Sequence, residues 1–437
     1  MAEKVGQLEK ENALLKKDIE LLKNSRNSNT SSTPPSQDYG RIGKSKSLRN
    51  STGKKSGGQF GHEGNNLQVK EIPDDIIEYR PSFCQECGEE FSQQDFQFVT
   101  KKQEVVLPPI VPRFVEHQSF SCKCNKCGST TISSLPEYLK AGIQYGDNLK
   151  ALVVYLSAYQ YLPYNRIVAF LKDFLNTPIS EGTIDNILKE CTQKARPAYE
   201  VIQQKIQNSL VVGGDETGIK INGKKGWLFT FQNEKLTFLS ASMSRGFQSI
   251  SSLFGCGFPN STYVSDSLAA QLKILSKEKQ LCTSHLLREL KNFIDVFDCR
   301  FSKELQDLIK DAIELKHRIS EDEYHKHKNK TAFFLFKLDK LLEPEHKDKH
   351  KKVYAFIKRL RKQRNAIFSF LKYPDVPPDN NGSERAIRNA KVKMKVSGQF
   401  RTLQGAESFA ILRSIIDTAK KNSQNVFDAL SLVAKMN

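Results

Sequence analysis

The sequence predicts a multidomain protein of the α+β class, and three observations support that prediction. The chain has 437 residues, enough for about two to four domains. Its patterning changes several times, from a leucine heptad to a polar linker, then to paired cysteines, and then to helical periodicity. The remaining part combines short strand-like runs with long helical stretches, which indicates a sheet packed against helices.

The charge balance indicates a partner that carries many phosphates. Lysine and arginine total 67 against 49 acidic residues, a formal net charge of +18. Such an excess is common in proteins that bind nucleic acid, because contacts to phosphates release condensed counterions. No apolar run approaches the roughly 20 residues of a membrane-spanning helix, and the charged N-terminus is unlike a signal peptide. We therefore expect a cytoplasmic protein without a membrane partner.

The first 25 residues predict a coiled coil. Leucine recurs every seven residues, with a second, mostly β-branched series between: Val5, Leu8, Asn12, Leu15, Ile19 and Leu22. This pattern is typical of a parallel two-stranded coiled coil, so we expect a homodimer or a higher oligomer. A solvated amphipathic helix is the alternative, because three heptads are marginally stable alone.

Residues 26–68 predict a basic flexible linker. The segment is rich in Ser, Asn, Thr, Gly and Lys and has almost no large apolar residues. Lys54 and Lys55 precede its glycine-dense stretch and are candidates for contacts to DNA phosphates. A disordered tether is the alternative.

Paired cysteines predict a small zinc-binding β module at residues 69–135. Two C-x2-C pairs, each followed by glycine, are formed by Cys84, Cys87, Cys124 and Cys127. Two such pairs in a cytoplasmic protein are typical of a structural Zn²⁺ site with four thiolate ligands. Cys122 competes with Cys124 for the third place, and Cys124 is preferred because its pair repeats the spacing of the first. Thiols without a metal are the alternative.

Residues 136–207 predict a helical DNA-binding domain. Apolar periodicity predicts helices at Asn148–Tyr159, Tyr164–Leu175 and Ser180–Ala195, with Ser180 as the N-cap of the third. Two helices joined by a short turn suit a helix-turn-helix that reads DNA. A three-helix bundle that serves as a spacer is the alternative.

Residues 208–437 predict a domain built on a sheet. Its short β runs are Leu210–Gly213, Gly226–Gln232, Lys235–Ser240 and Thr262–Ser265. Three antiparallel strands, a helix and a further strand follow the order of a ribonuclease-H-like α/β sheet. We expect an all-helical insertion over about 270–372 and a closing helix at Ala406–Lys420.

Three acidic residues of this last domain are candidates for a magnesium site. Asp215 and Asp266 each end a predicted strand, and Glu384 lies at a predicted helix start. Mg²⁺ prefers carboxylate oxygens, and two ions about 3.5–4 Å apart support phosphodiester chemistry. In that arrangement Asp215 bridges both ions, while Asp266 and Glu384 each hold one. Taken singly, the acids have ordinary alternatives as turn residues or as an ion pair of Glu384 with Arg388.

The chain resembles transposases of the insertion sequence 66 family, a bacterial DDE-type group, over nearly its full length. The motifs that carry the resemblance are Gly57-Gly58-Gln59-x-Gly61-His62-x-Gly64, Asp215-Glu216-Thr217, Cys282-x2-His285-x2-Arg288 and Asn381-x2-Glu384-Arg385-x2-Arg388. The resemblance implies a ribonuclease-H-like catalytic domain with Asp215, Asp266 and Glu384 as its catalytic residues. The chain departs from the family pattern Asp-Gly-Tyr-x-x-Tyr after Asp266, where it has Ser267-Leu268-Ala269-Ala270-Gln271.

The resemblance also implies an activity. A DNA transposase of this type cleaves the ends of its element and joins the freed 3′-hydroxyl to target DNA, using two Mg²⁺ or Mn²⁺ ions. Its partners would be double-stranded DNA, further copies of the chain, and accessory proteins of the same element. Candidates for contacting DNA are His285, Arg288, Arg385, Arg388 and Lys391. Two alternatives stay open, a non-catalytic zinc and helix-turn-helix DNA-binding protein from a decayed element, and a ribonuclease-H-like nuclease that does not join strands.

Overall fold

The structure is a computed structural model that describes residues 61, 67–91, 96–266, 268–320, 323–324, 328–343 and 350–436. The segment expected to form a coiled coil, most of the expected linker, and Lys54 and Lys55 lie outside these residues. The chain divides into two compact units at Val111–Pro112. The predicted zinc module, residues 69–135, therefore contributes to both units, and each unit is described separately.

The described part of the smaller unit, residues 61, 67–91 and 96–111, contains a tight turn around the first cysteine pair. An isolated antiparallel bridge joins Phe83 to Glu90 across this turn. Elsewhere the side chain of Gln103 exchanges two hydrogen bonds of 2.8 Å with the backbone of Lys70. No helix and no longer strand is present among the described residues of this unit.

The larger unit contains the regular secondary structure. Its strands are β1 (Ser121–Lys123), β2 (Thr130–Ile132), β3 (Val211–Ile221), β4 (Lys224–Gln232), β5 (Thr237–Ser242), β6 (Phe258–Ser265) and β7 (Ser276–Leu281). Its α-helices are α1 (Asp147–Val154), α2 (Tyr164–Leu175), α3 (Glu181–Gln207), α4 (Phe247–Ser251), α5 (Ala269–Leu272), α6 (Thr283–Phe297), α7 (Arg300–Arg318), α8 (Lys328–Leu342), α9 (Lys351–Lys362), α10 (Asn381–Ser397), α11 (Leu403–Lys421) and α12 (Val426–Lys435). A π-helical turn, Tyr155–Tyr159, continues α1.

A mixed five-stranded sheet with the order β5-β4-β3-β6-β7 forms the centre of this unit. Within this sheet β3, β4 and β5 pair antiparallel in the order of the chain, whereas β6 and β7 run parallel to β3. The β3–β4 hairpin turns at Asn222 and Gly223, which both have positive φ, as a type I′ turn requires. The sheet and the helices confirm a protein of mixed α+β class.

Two details of the sheet differ from the sequence prediction. Strand β3 continues to Ile221, so Asp215 lies in the middle of a strand and not at its end. Strand β7 occupies Ser276–Leu281, so the segment predicted to be all-helical from about residue 270 begins with a short helix and a strand. The pattern failed there because this edge strand has the sequence SKEKQL, whose charged side chains are typical of exposed sheet edges and hide the alternation.

Helices cover both faces of the sheet. On one face, a cluster of aromatic side chains packs against α1–α3, α11 and α12; it includes Phe231, Phe238, Phe254 and Phe258. Helices α6–α9 pack on the other face around Val264 and Leu281. The helices at 147–207 were predicted as a DNA-binding domain, and they share one hydrophobic core with the sheet.

The three helices predicted in that segment are present. Ser180 caps α3 by accepting a hydrogen bond from the Thr183 backbone N–H over 3.0 Å, as predicted, and the helix runs on to Gln207. Arg413 of α11 joins this segment to the rest, because its guanidinium lies over the rings of Tyr159 and Tyr161; the same guanidinium forms a buried ion pair with Asp417 in its own helix. Among the described residues, no helix is both long and apolar enough to span a membrane.

Candidate active site

Asp215 and Asp266 lie side by side because their strands are parallel neighbours. Gly213 on β3 pairs with Val264 on β6, so two residues further on Asp215 is level with Asp266, which follows β6 directly. Adjacent strands are about 4.8 Å apart. Burial and the nearby carboxylates of Asp266, Glu216 and Glu384 raise the pKa of Asp215 well above its ordinary value. Two acids that the sequence predicted as site residues therefore lie next to each other on adjacent strands.

A glycine pair allows other elements to approach β3 on both faces. A Cβ atom on Gly213 would lie 2.9 Å from the side-chain oxygens of both Asn380 and Ser383. A Cβ atom on Gly214 would overlap the Tyr263 hydroxyl, only 1.9 Å away. Side chains alternate between the faces of a strand, so Asp215 points to the same face as Gly213, where α10 begins.

Asn380, the N-cap of α10, fixes the start of the helix that carries Glu384. Its side-chain N–H donates to the carbonyl oxygen of Gly214 over 2.7 Å, and its side-chain oxygen accepts from the Ser383 hydroxyl at the same distance. Its backbone N–H donates to the Cys282 sulfur over 3.2 Å. These bonds place Glu384, in the first turn of α10, close enough to contribute to the pKa shift of Asp215.

Glu216 is a further acidic residue of the site that the sequence prediction missed. Its side chain is 1% exposed and points to the opposite face of β3 from Asp215. Arg245 donates two hydrogen bonds to Glu216 Oε1, of 2.7 and 3.1 Å, and the Gln271 amide donates to Oε2. Burial and Asp266 raise the pKa of Glu216, although Arg245 acts in the opposite direction. Through its hydrogen bond with Gln271, Glu216 thus holds α5, the short helix that follows Asp266, in place.

A second group of side chains surrounds Glu384 from α6. The ligand atoms of Cys282, His285 and Glu384 all lie within 4.8 Å of one another, the one group of at least three such residues to do so in the described part of the chain. His285 Nε2 is 3.8 Å from Glu384 Oε1. Burial raises the pKa of the Cys282 thiol to about 12. His285, a predicted DNA contact, therefore faces an acidic residue of the site, and Arg288 lies one turn further along α6.

The basic residues predicted after Glu384 are exposed on α10. Arg385, Arg388 and Lys391 are all in contact with solvent. Arg388 and Lys391 are four and seven residues beyond Glu384, a spacing that puts them on the same side of the helix. At 1.5 Å per residue, Lys391 is about 10 Å further along the axis. A positively charged stripe therefore leads away from the acidic cluster.

The two cysteine pairs have matching local geometry, each within its own unit. The Cys84 N–H donates to the Glu89 carbonyl and the Gly88 N–H to the Cys84 carbonyl, over 2.8 and 2.9 Å. Cys124, Gly128 and Ser129 repeat both bonds at 2.8 Å. The glycine of each turn has positive φ, which favours glycine at this position.

Hydrogen bonds in these turns favour thiolates. The backbone N–H of Cys87 is the main cause that lowers the pKa of Cys84, and the Ser129 hydroxyl is the main cause for Cys127. A thiolate is the form of cysteine that ligates metals. Cys124 occupies the place in its turn that Cys84 occupies in the first, whereas Cys122 pairs with Thr131 within the β1–β2 hairpin.

The carboxylates fit a hard divalent cation. Asp215, Asp266 and Glu384 offer oxygen ligands, which Mg²⁺ and Mn²⁺ prefer. Burial and the neighbouring carboxylates raise the pKa of Asp215, and a bound cation would offset both the burial of the charge and the repulsion between the carboxylates. Cys282 and His285 beside Glu384 offer softer donors.

The fold and the site define a mixed α+β protein whose acidic cluster lies where the parallel pairing of β3 and β6 ends and where α10 begins. The model of the family described as "Transposase IS66 family" matches residues 142–408, which include the sheet, the acidic cluster and the helices around them. The chain therefore belongs to the IS66 family of transposases, and this membership gives it a transposase role that implies binding to DNA. No curated protein matches the chain.

Proposed function

We propose that the chain is a DDE-type DNA transposase in which Asp215, Asp266 and Glu384 form the catalytic centre. The observation that carries the proposal is that Asp266 and Glu384 each lie close enough to the buried Asp215 to add to the rise in its pKa, which burial itself begins. They come from positions 51 and 118 residues apart in sequence. A cluster of like charges lowers the stability of the folded protein, and such clusters are found mainly at functional sites.

The topology of the sheet supports a ribonuclease-H-like catalytic domain. Three antiparallel strands followed by the parallel strand β6, which leads to Asp266, are what the sequence led us to expect for that fold, and the parallel strand β7 is an addition that the sequence did not predict. In this arrangement Asp215 is on the central strand, Asp266 follows the adjacent one, and Glu384 is on a helix packed on the same face. The segment between Asp266 and Glu384 would then be an insertion that contacts the element ends.

The carboxylates would hold two Mg²⁺ or Mn²⁺ ions, with Asp215 between both. When bound, such ions activate the attacking water and neutralise the charge that develops on the leaving oxygen. Because Asp266 and Glu384 would contact different ions, they need not contact each other. Glu216, bound to Arg245 and Gln271 on the opposite face, would hold the Asp266 segment in place.

The reaction would proceed by two phosphoryl transfers at this centre. In the first, water attacks a phosphorus at the element end and the bond to the 3′-oxygen breaks, which leaves a 3′-hydroxyl. In the second, this hydroxyl attacks a target phosphodiester, one P–O bond forms, and one target 3′-oxygen leaves. Arg388 and Lys391 on α10 would bind the phosphates next to the reacting one.

Two further parts of the proposal concern assembly. The pairs Cys84–Cys87 and Cys124–Cys127 would supply the thiolate ligands for structural Zn²⁺, and the matching turns, with a lowered pKa for Cys84 and for Cys127, support that choice. A dimer or higher oligomer would pair two element ends, through the coiled coil expected at residues 1–25. Accessory proteins of the same element would complete the assembly.

A strand-transfer assay tests the proposal. Purified chain is incubated with a labelled element end, a target plasmid and Mg²⁺ or Mn²⁺, and Asp215→Asn is compared with Asp173→Asn, an exposed residue of α2. We expect cleaved and joined products that disappear in Asp215→Asn and persist in Asp173→Asn. Cleavage without joining would replace the proposal with a nuclease. DNA binding without cleavage, also with the accessory proteins of the element present, would replace it with a non-catalytic DNA-binding protein.

A further inference from the structure

The group formed by Cys282, His285 and Glu384 differs in chemistry from the acidic cluster next to it. It combines a sulfur, an imidazole nitrogen and a carboxylate oxygen, all within 4.8 Å of one another. Cys282 is the N-cap of α6, His285 lies in its first turn, and Glu384 lies in the first turn of α10. The three donors are thus held by the starts of two helices.

We propose that Cys282, His285 and Glu384 form a binding site for a thiophilic divalent cation of the Zn²⁺ type, and that an ion bound there withdraws Glu384 from the Mg²⁺ centre. The first half of this proposal depends on the side chains alone. The second half rests on the proposed function, because it requires Glu384 to hold Mg²⁺ during catalysis.

The donor set is selective for Zn²⁺ over Mg²⁺. Zinc binds cysteine sulfur at about 2.3 Å and histidine nitrogen at about 2.0–2.1 Å, usually with tetrahedral geometry. Tetrahedral donors at such lengths are roughly 3.3–3.6 Å apart, so the 3.8 Å between His285 Nε2 and Glu384 Oε1 requires only a small movement. Mg²⁺ prefers six oxygen ligands and gains little from Cys282 or His285. A set of three protein ligands leaves a fourth position for water.

Two further observations support a preformed site. The Cys282 sulfur is held by the backbone N–H of Asn380 over 3.2 Å, so it does not need to be ordered when an ion binds. His285 Nδ1 is out of contact with solvent and has no hydrogen-bond partner among the described residues. The imidazole is therefore not committed to a hydrogen-bond network that a metal would have to break.

Glu384 links this site to the acidic cluster. It contributes to the pKa shift of Asp215 and faces His285, so one carboxylate lies between two groups of ligands. An ion that holds its oxygen together with Cys282 and His285 would compete with Mg²⁺ for that carboxylate. We expect Zn²⁺ to inhibit Mg²⁺-dependent cleavage.

Cobalt substitution tests the binding site without any reaction. Full-length protein is titrated with Co²⁺, and the sulfur-to-cobalt charge-transfer absorption is compared with that of Cys282→Ser, His285→Asn and the control Cys191→Ser, a buried cysteine of α3. We expect the native protein and Cys191→Ser to bind about one more Co²⁺ per chain than the other two variants. Equal spectra and equal stoichiometry in all four proteins would overturn the proposal. His285→Asn, which leaves Cys282 in place, covers the case in which Cys282→Ser does not fold.

Inhibition of cleavage tests the competition separately. Under fixed Mg²⁺, we expect Zn²⁺ to inhibit the control Cys191→Ser at a concentration at least about tenfold lower than it inhibits Cys282→Ser, whose side chain is not among the predicted DNA contacts. If cobalt binds as expected but zinc inhibits both variants equally, the competition is overturned and the binding site stands. If no variant cleaves DNA at all, the proposed function fails, while the cobalt spectra still decide whether the site binds a metal.

Discussion

The side-chain amide of Asn380 donates a hydrogen bond to the carbonyl oxygen of Gly214 over 2.7 Å. This bond joins the central strand to the start of α10, which is 166 residues away in sequence. Asn380 is 2% exposed, so water does not compete for the bond. The distance between Asp215 and Glu384 is therefore set by the close approach of α10 to β3, and that approach depends on a missing side chain at Gly213.

Gly213→Ala is expected to destabilise the protein and to abolish cleavage. The added Cβ would lie 2.6 Å from the Gln232 amide nitrogen and 2.9 Å from the Asn380 oxygen, so the Asn380 side chain must move and the bond that holds the start of α10 to Gly214 is disturbed. Overpacking of this kind costs about 1–3 kcal/mol, and a small displacement of Glu384 disrupts the metal centre. Urea unfolding gives the stability change, and the strand-transfer assay gives the activity.

Gly218→Ala on the same strand is the matched control. Its Cβ would meet nothing closer than 3.8 Å, so we expect stability within about 0.5 kcal/mol of the native protein and unchanged cleavage. Full activity in Gly213→Ala would contradict the claim that α10 must approach β3 this closely.

The sequence predicted the local elements of the site better than the residues that join them. Asp215, Asp266 and Glu384 were found because strand and helix signals precede them. Glu216 was missed because strand alternation indicates only that its side chain points to the opposite face from Asp215, and nothing local indicates that Arg245 and Gln271 meet it there. Such a contact depends on three distant segments meeting, which no periodicity encodes.

Gln271 illustrates the same limit. The family pattern Asp-Gly-Tyr-x-x-Tyr has its second tyrosine at position 271. From the sequence alone, the glutamine there suggested that this chain lacks the contact made by that tyrosine. In the structure the Gln271 amide donates to Glu216 Oε2, a bond that a tyrosine hydroxyl can also donate. Gln271 thus departs from the family pattern but still places a hydrogen-bond donor next to Glu216.

Glu216→Gln is expected to raise the Mg²⁺ concentration needed for cleavage by about tenfold. The variant keeps the size of the side chain but removes the charge that holds Arg245, and hydrogen bonds to charged groups contribute about 1.5–3 kcal/mol. Arg245 is 33% exposed, so solvent screening reduces the effect on stability. The measurement is the cleavage rate as a function of Mg²⁺ concentration.

Trp227 provides an independent measurement of that change. It is the one tryptophan of the chain, and the Arg245 guanidinium lies 4.6 Å from the centre of its ring. We expect the fluorescence spectrum to shift in Glu216→Gln and to stay unchanged in Glu407→Gln, an exposed acid on α11. An unchanged Mg²⁺ requirement despite a shifted spectrum would show that Glu216 holds Arg245 but does not position Asp266.

The cysteine turns lead to a prediction about metal content. We expect zinc, measured by elemental analysis of the purified chain, to fall by about one ion per chain in Cys84→Ser and in Cys124→Ser. Cys122→Ser should keep the native content, because Cys122 lies in the β1–β2 hairpin and not at the start of a turn. Loss of zinc in Cys122→Ser together with its retention in Cys124→Ser would reverse the assignment of the third ligand.

Asp215→Asn is expected to make the metal-free protein more stable at neutral pH. Burial and the neighbouring acids raise the pKa of Asp215, so its charged form is less favourable in the folded than in the unfolded state. Below the ordinary aspartate pKa of about 3.9 the carboxyl is neutral in both states and costs nothing. As the pH rises through the folded-state pKa, the folded protein loses stability that the asparagine variant keeps.

Unfolding by urea in the presence of a chelator, over a series of pH values, measures this difference. The gain in the free energy of unfolding of Asp215→Asn over the native protein should be near zero in acid and should grow with pH. Asp173→Asn, which removes an exposed carboxylate, should show no such trend. With added Mg²⁺ the native protein should become more stable than Asp215→Asn. The native protein binds the ion through Asp215 and gains stability by mass action, whereas the variant has lost that ligand. A pH-independent difference would mean that burial and the neighbouring acids do not raise the pKa of Asp215.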